Sequence, residues 1–414
     1  MEALTVILLV YVFLSFYFLF LFTLIYIQNK REVMHSPKPE KTRSLSIVIP
    51  CFNGAKDIGK TIENLLNSDY KGLKKIVVVD DQSTDNSWEI IQDYAKKYDR
   101  VIGVQTPKNS GCAAGAKNWG AKYVDTELIG FTDDDSYPKK DAMDKMVGFF
   151  NQERVGAVTS TVLVQNRHKF ITKVQSIEYK VIKFTRKLLE FIDSIYVTPG
   201  PLAIYRKSAF DDIGGFDENN LTEDIEITWH MQKAGYKVKM ATAAKVYTIA
   251  PEKVKAWIKQ RNRWNMGGIQ TISKYKKTFT KHGMLGAFIL PFFVFSWLAS
   301  IFGLIVLFVR LGDILYMRFL STVYSIETGT AVFRMNEVNL SLDILAFFGI
   351  IVLSFTLLYT MIALKQLKEP EYKKTKIHIL FFYLIFYVLM YPIILISSIF
   401  KYTMRQINKK KMTW

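Results

Sequence analysis

The segment IGFTDDDSYPKK, residues 129–140, ends an apolar run on three adjacent carboxylates, Asp133, Asp134 and Asp135, in a chain of formal net charge +18. Side by side these groups repel one another unless a cation lies among them. Hard divalent cations take carboxylate oxygens, and Mg2+ or Mn2+ commonly bridges such oxygens to a diphosphate. In an extended segment Asp133 and Asp135 project to one side and Asp134 to the other, so a metal is expected at Asp133 and Asp135. No G-x-x-x-x-G-K-[ST] loop is present, which argues against a P-loop nucleotidase. Two more polar groups, PCFNG (50–54) and DDQSTDNS (80–87), also follow short apolar runs. Each alone reads equally well as a turn, since Asp, Asn and Ser are ordinary loop and N-cap residues. Three of them in the same setting point to a site.

The elements that must hold these groups are legible around them. Residues 44–50, 76–80, 101–104 and 128–131 are short, apolar and rich in β-branched types, as buried strands are. Helix-compatible stretches at 58–67 and 87–98 lie between them. The β-α-β-α-β order predicts a parallel sheet with right-handed crossovers, and such sheets bind ligands beyond the carboxyl ends of their strands. All three polar groups fall at those ends.

Around this soluble middle the chain of 414 residues, half of them hydrophobic, has four apolar segments long enough to cross a bilayer: residues 4–27, 284–309, 342–364 and 377–400. The first lacks a basic leader and a small-residue cleavage site, and reads as a retained anchor. Lys30, Arg31, Lys38, Lys41 and Arg43 follow it, so the next domain is expected in the cytoplasm of a multi-pass cell-membrane protein. Cys51 and Cys112 form no disulfide framework, which fits a reducing compartment. Much of the positive charge flanks membrane segments, where membrane lipids are its partners. No zinc-finger spacing or RNA-recognition motif accompanies it, so nucleic acid is not an expected partner.

With these motifs in hand, the chain resembles the family 2 glycosyltransferases, especially the membrane-embedded processive synthases of poly-N-acetylglucosamine, hyaluronan, chitin and cellulose. The resemblance runs from residue 43 to about 268. It implies an α/β GT-A domain, Rossmann-like and specific for nucleotide-diphospho-sugars, over 43–268 with interfacial helices. An N-terminal transmembrane helix would occupy 1–28 and a helical transmembrane region of about three spans 269–414. IPCFN and VDD imply Pro50, Phe52, Asn53 and Asp81 as donor contacts; DDD matches D-x-D, implying Asp133, Asp134 and Asp135 for donor and metal. LTEDIEITWH resembles the T-E-D segment, with Asp224 the implied general base and Glu223 beside it as a second catalytic carboxylate. QRNRW (260–264) matches Q-x-x-R-W, implying Gln260 and Arg263 on the donor and Trp264 as an acceptor platform; TPGPLAIYR (198–206) resembles the acceptor-side loop, implying Gly200 and Pro201. Taken singly, T-E-D also reads as a helix start capped by Thr222, and QRNRW as an interfacial helix. The departures are Gly54 where the family commonly has Glu, Gln82 where Gly is frequent, and Cys112 where Lys is common, with Lys117 five residues on as a substitute donor-side cation.

The implied activity is inverting transfer from a UDP-sugar, N-acetylglucosamine favoured, in Mg2+ or Mn2+, building a β-linked polysaccharide that is extruded across the membrane. A single transfer to a lipid acceptor and a non-catalytic transporter or scaffold subunit are the alternatives. An accessory membrane subunit is an implied partner. Residues 170–195 place apolar side chains at three- and four-residue spacing with Lys173, Lys180, Lys183, Arg186 and Lys187 between them. That pattern predicts a basic amphipathic helix on the membrane surface or, alternatively, one packed on the sheet. Topology is in conflict: four crossings put both termini outside, yet the tail carries Lys401, Arg405 and Lys409 to Lys411. A re-entrant segment, or a fifth crossing between 310 and 342, would bring the tail inside.

Overall fold

The computed structural model describes residues 3–329, 344–367, 369 and 376–408. A first long helix, α1 (Ala3–Asn29), leads into an alternation of β1 (Leu45–Cys51), α2 (Ile58–Leu66), β2 (Leu73–Asp80), α3 (Ser87–Lys97), β3 (Val101–Gln105), α4 (Ala113–Ala121) and β4 (Leu128–Phe131). There follow β5 (Ser136–Pro138), α5 (Asp144–Val147), β6 (Val155–Val164), α6 (Phe170–Glu190), β7 (Ala203–Arg206), α7 (Lys207–Asp212), α8 (Glu223–Lys233), β8 (Lys237–Thr248) and α9 (Val254–Tyr275). The last three helices are α10 (Leu290–Glu327), α11 (Ile344–Gln366) and α12 (Ile377–Ile407).

The strands form one sheet in the order β3-β2-β1-β4-β7-β6-β8-β5. Its first half is parallel, as the alternation predicts. The second half departs from that expectation: β7 runs antiparallel to both β4 and β6, and β5 antiparallel to β8. Strand periodicity explains why both faces of the parallel half are buried. Ile47, Ile49, Ile76 and Val78 pack with Ile58, Ile62 and Ile91 of α2 and α3. Val48, Val77, Val79 and Ile129 pack on the other face with Ala114 of α4 and Ile227 of α8.

Among the described residues four helices are long and apolar enough to cross a membrane: 9–29, 285–327, 349–366 and 377–407. The second runs unbroken for 43 residues, about 65 Å at 1.5 Å per residue and roughly twice the hydrocarbon thickness. The stretch from 310 to 327 therefore belongs to that helix and forms no fifth crossing of its own; residues 330–343 and the tail lysines at 409–411 lie outside the described residues. The helix carrying QRNRW also continues past 268, to Tyr275.

Helix α6 joins the two regions, packed on the sheet, as the alternative reading of its pattern has it, and against the long apolar helices. Its basic side chains turn inward. Lys180 pairs with Glu369 at 2.7 Å, Lys187 with Glu190 at 2.5 Å, and Lys183 donates to the carbonyl of Val162. Its apolar side chains are covered by the long helices: Phe184 and Leu188 by Ile25, Ala363 and Leu367, and Val174 and Ile177 by Ile379, Leu380 and Tyr383. The periodicity marks an amphipathic helix; its partner is protein on both sides, so Lys180, Lys183 and Lys187 are paired or hydrogen-bonded internally, Lys173 remaining exposed.

Candidate active site

A cavity of about 820 Å3 opens where the carboxyl ends of the parallel strands meet α6, α8 and α9. Its wall includes Pro50, Phe52 and Asp81 of the strand-end loops together with Asp133, Asp134 and Asp135. Gly200, Pro201, Glu223, Asp224, Gln260, Arg263 and Trp264 line the same space, as do Phe293, Trp297 and Tyr391 of the long helices. Most of the residues singled out by sequence motif thus line one space. Asn53 and Lys117 do not.

The loop after β1 turns at Asn53 with φ 55°, a conformation Asn tolerates better than most residues. The Asn53 side chain accepts hydrogen bonds from the Thr84 amide and hydroxyl at 2.8 and 3.1 Å, clamping the two strand-end loops together instead of facing the cavity. Phe52 is 52% exposed at the cavity mouth. After β2, Gln82 has φ 62°, which accounts for the frequency of Gly there and costs about 1–2 kcal/mol with a side chain present. Its amide donates to the Thr106 carbonyl. Asp81 accepts from Thr106 Oγ1 at 2.8 Å, the Ser110 amide at 2.9 Å and Ser110 Oγ at 2.7 Å, so part of its carboxylate fastens the 106–110 loop.

The three aspartates are not extended. β4 ends at Phe131, and Asp134 and Asp135 lie in a turn before β5, so strand alternation does not sort them and all three reach the cavity. Asp134 fits because residue 54 is Gly: a Cβ there would lie 2.2 Å from Asp134 Oδ2. Asp135 accepts weakly from Ser136 and Thr248 hydroxyls at 3.3 and 3.4 Å. Burial, then repulsion from neighbouring aspartates, pushes Asp134 and Asp135 up to about 7. Carboxylates this crowded and this poorly supplied with donors are suited to a divalent cation. Among the described residues no three His, Cys, Asp or Glu side chains are arranged to hold an ion unaided. Asp133 and Asp135 would then be two ligands of a sphere completed by diphosphate oxygens and water, the habit of Mg2+.

Asp133 is set from the opposite side by Gly200, whose missing Cβ would lie 2.4 and 2.5 Å from the two carboxylate oxygens. Gly200→Ala is expected to push Asp133 out of place and weaken UDP binding in Mn2+ by about ten-fold, ~1.4 kcal/mol. A fluorescence or calorimetric titration measures it, and parent-like affinity would mean that Asp133 plays no part in the donor site.

The T-E-D segment opens α8, but Thr222 makes no side-chain capping bond. Its two carboxylates have different fates. Glu223 is buried and accepts from Lys117 Nζ at 2.8 Å, with Asp133 Oδ1 3.7 Å from the same nitrogen. Burial opposes ionisation of Glu223, yet the Lys117 charge wins and holds it below the usual range. Lys117 is thus a buried counter-ion that lies behind the cavity wall, and Glu223, which lines the cavity, is its partner. Asp224 is half-buried, lines the cavity and accepts from the Ile225 amide at 3.0 Å. Burial and the Glu223 charge push it up to about 6, against the opposing pull of Lys117 and Arg263. A carboxylate raised toward neutrality and open to a cavity is suited to general-base work.

On α9, the guanidinium of Arg263 places positive charge on the carboxylate cluster, offsetting part of the rise that burial gives Asp133 and Asp224 and adding to the Lys117 charge that holds Glu223 down. Gln260 accepts from Arg261 at 2.5 Å. Arg261, which motif reading passes over, is buried in an ion pair with Glu178 of α6, Nε to Oε1 at 2.9 Å, and its guanidinium lies 3.9 Å from the Trp264 ring centre. Tyr387 of α12 donates to the same glutamate at 2.5 Å. In the sequence Glu178 shows only as one of two acids in a basic helix, a weak signal without its partner.

Comparison with known proteins follows this geometry. Residues 46–214 match the family model described as glycosyl transferase family 2. A poly-beta-1,6-N-acetyl-D-glucosamine synthase of Staphylococcus epidermidis is 26% identical over 314 residues, 73% of this chain and 75% of that protein. The protein of the same name from Staphylococcus aureus (strain COL) is 28% identical over 260 residues, 62% of either chain. Among solved structures, the mannosyltransferase PcManGT from Pyrobaculum calidifontis, in complex with GDP-Man and Mn2+, superposes with a TM-score of 0.52 at 18% identity, covering 87% of this chain and 98% of that one. That likeness speaks for the fold.

Proposed function

We propose that this family 2 glycosyltransferase is a processive synthase, which polymerises a UDP-activated sugar, N-acetylglucosamine in first place, into a β-linked polysaccharide and passes it into the membrane region. The observation that carries the reading is that one cavity is lined both by the strand-end residues Phe52, Asp81 and Asp133, with Asp224 of α8, and by Phe293, Trp297 and Tyr391 of the long apolar helices. A donor at the strand ends and a chain leaving between long apolar helices would both fit one such space.

In the transfer, the acceptor hydroxyl attacks the anomeric carbon from the face opposite UDP. The new glycosidic bond forms as the bond to the diphosphate oxygen breaks, giving inversion, and Asp224 takes the hydroxyl proton. No side chain is placed as a covalent nucleophile in this scheme. Mg2+ or Mn2+, held by Asp133 and Asp135, would neutralise charge on the departing diphosphate when bound. Arg263 adds a planar cation beside it, Phe52 offers a face for the uracil, and Trp264, its ring backed by Arg261, offers one for the acceptor sugar. The catalytic domain lies in the cytoplasm in this reading, where UDP-sugars are supplied.

The test is to incubate the purified full-length protein in nanodiscs with a panel of UDP-sugars and Mg2+ or Mn2+, reading UDP release and product length. The expected result is a long polymer from UDP-N-acetylglucosamine that EDTA abolishes. One sugar on a lipid would replace this reading with single transfer, and no UDP release with any donor would defeat it.

A further inference from the structure

Beyond Asp224 the cavity wall carries a cation for which the transfer described above has no use. Arg186, near the end of α6, is 4% exposed, yet it lines the cavity. Its Nε and Nη1 are buried without a hydrogen-bond partner among the described residues. Guanidinium donors kept from water in this way are costly, and the structure retains such groups where something else satisfies them. The other inward-facing cations of α6 are engaged, Lys180 with Glu369, Lys187 with Glu190 and Lys183 with a carbonyl.

Its position says which ligand it would meet. Of the site's carboxylates, Asp224 is the one whose charge acts on Arg186. The guanidinium lies 5.6 Å from the ring centre of Tyr196, and Tyr196 packs edge-on against Phe293 of α10 at 4.8 Å. Arg186 therefore stands between the proposed base and the helix-lined end of the cavity, on the acceptor side. Positive charge for the diphosphate is already supplied by Arg263. Guanidinium donates five N–H groups and accepts none, so its ligand must present oxygen lone pairs. Hydroxyl and acetamido carbonyl oxygens of a saccharide do so.

We propose that Arg186 is a saccharide-binding residue whose Nε and Nη1 donate to oxygens of the acceptor chain, holding its terminal hydroxyl toward Asp224. The assignment rests on the polymerase reading above. It is tested on the full-length protein in nanodiscs with Arg186→Met and Arg186→Lys, titrating a short β-linked N-acetylglucosamine oligosaccharide and, separately, UDP with Mn2+. Arg186→Met should weaken the oligosaccharide at least about ten-fold and shorten the product, with UDP affinity equal to the parent's; Arg186→Lys should recover part, an ammonium donating without the planar fork. Because a buried cation with two unsatisfied donor nitrogens is removed, the ligand-free Met variant should melt no lower than the parent. Unchanged oligosaccharide affinity and chain length would overturn the assignment. A loss confined to UDP would move Arg186 to the donor, and a lowered melting temperature with both affinities reduced would make it structural; either also overturns it. A parent that forms no polymer and binds no oligosaccharide would defeat the polymerase reading and this proposal together, whereas a polymerising parent matched by Arg186→Met defeats this proposal alone.

Discussion

Asp224→Asn is expected to lower turnover by at least about 100-fold, equivalent to ~2.7 kcal/mol, while UDP affinity in Mn2+ stays at the parent's value. Asn keeps the size of the side chain and can still accept from the Ile225 amide, but it has no basicity to offer the acceptor hydroxyl. The pH dependence carries its own sign. The base must be ionised, and burial has pushed it up to about 6; turnover in the parent should therefore fall as pH drops through about 6, with Asp224→Asn lacking that limb. For stability the sign is opposite. A carboxyl raised above its unfolded value makes the fold less stable as pH climbs from that value through the folded one. Asp224→Asn should thus melt at or above the parent at pH 7 to 8, the difference closing toward pH 4. A helix-start role predicts the reverse, lower melting with near-normal turnover. Scanning calorimetry and turnover on one preparation separate the two, and polymerisation at parental rate by the variant would end the assignment.

How much of this was legible beforehand follows from the range of each signal. β1 to β4 show in the sequence because short apolar strands between turn residues are a local pattern, and the strand-end loops come with them. The mixed half is hidden: β5 and β7 are three and four residues long, too short for period two to register against chance, and β6 is buried along its whole length, so it shows no alternation. For α6 the periodicity marked an amphipathic helix without saying what covers it, since Phe184 meets Ile25 and Ala363 across long stretches of chain. The aspartate cluster shows in the sequence as charge, but its turn does not, because strand alternation stops at Phe131 and does not extend to Asp133–Asp135. Lys117 is the plainest case. Its charge can be counted in the sequence, whereas its partner Glu223 lies 106 residues away, and only the fold brings the two together.

That pairing makes Lys117→Met the most destabilising of the changes considered. The variant leaves Glu223 and Asp133 facing Asp224 without the cation between them, and removing one partner of a buried ion pair costs about 3–5 kcal/mol. In the parent the Lys117 charge lowers Glu223 and partly offsets the rise of Asp133 and Asp224; without it all three move up. The loss of stability should therefore be largest at neutral and alkaline pH, where the carboxylates are forced to ionise, and should shrink as pH falls toward 4 and they protonate. The same shift should carry the acid limb of turnover above its parental position near 6, leaving the base largely protonated at pH 7. Adding Glu223→Gln removes the stranded charge, so the double variant should regain much of the melting temperature lost by Lys117→Met alone, a coupling that two independent sites would not show. A donor-contact role for Lys117 predicts a different set of results: UDP affinity falls, melting stays near the parent, and Glu223→Gln rescues nothing. Thermal melts of the two single variants and the double variant between pH 4 and 8, with a UDP titration at pH 7, decide between a cation that holds the carboxylates in place and one that grips the substrate.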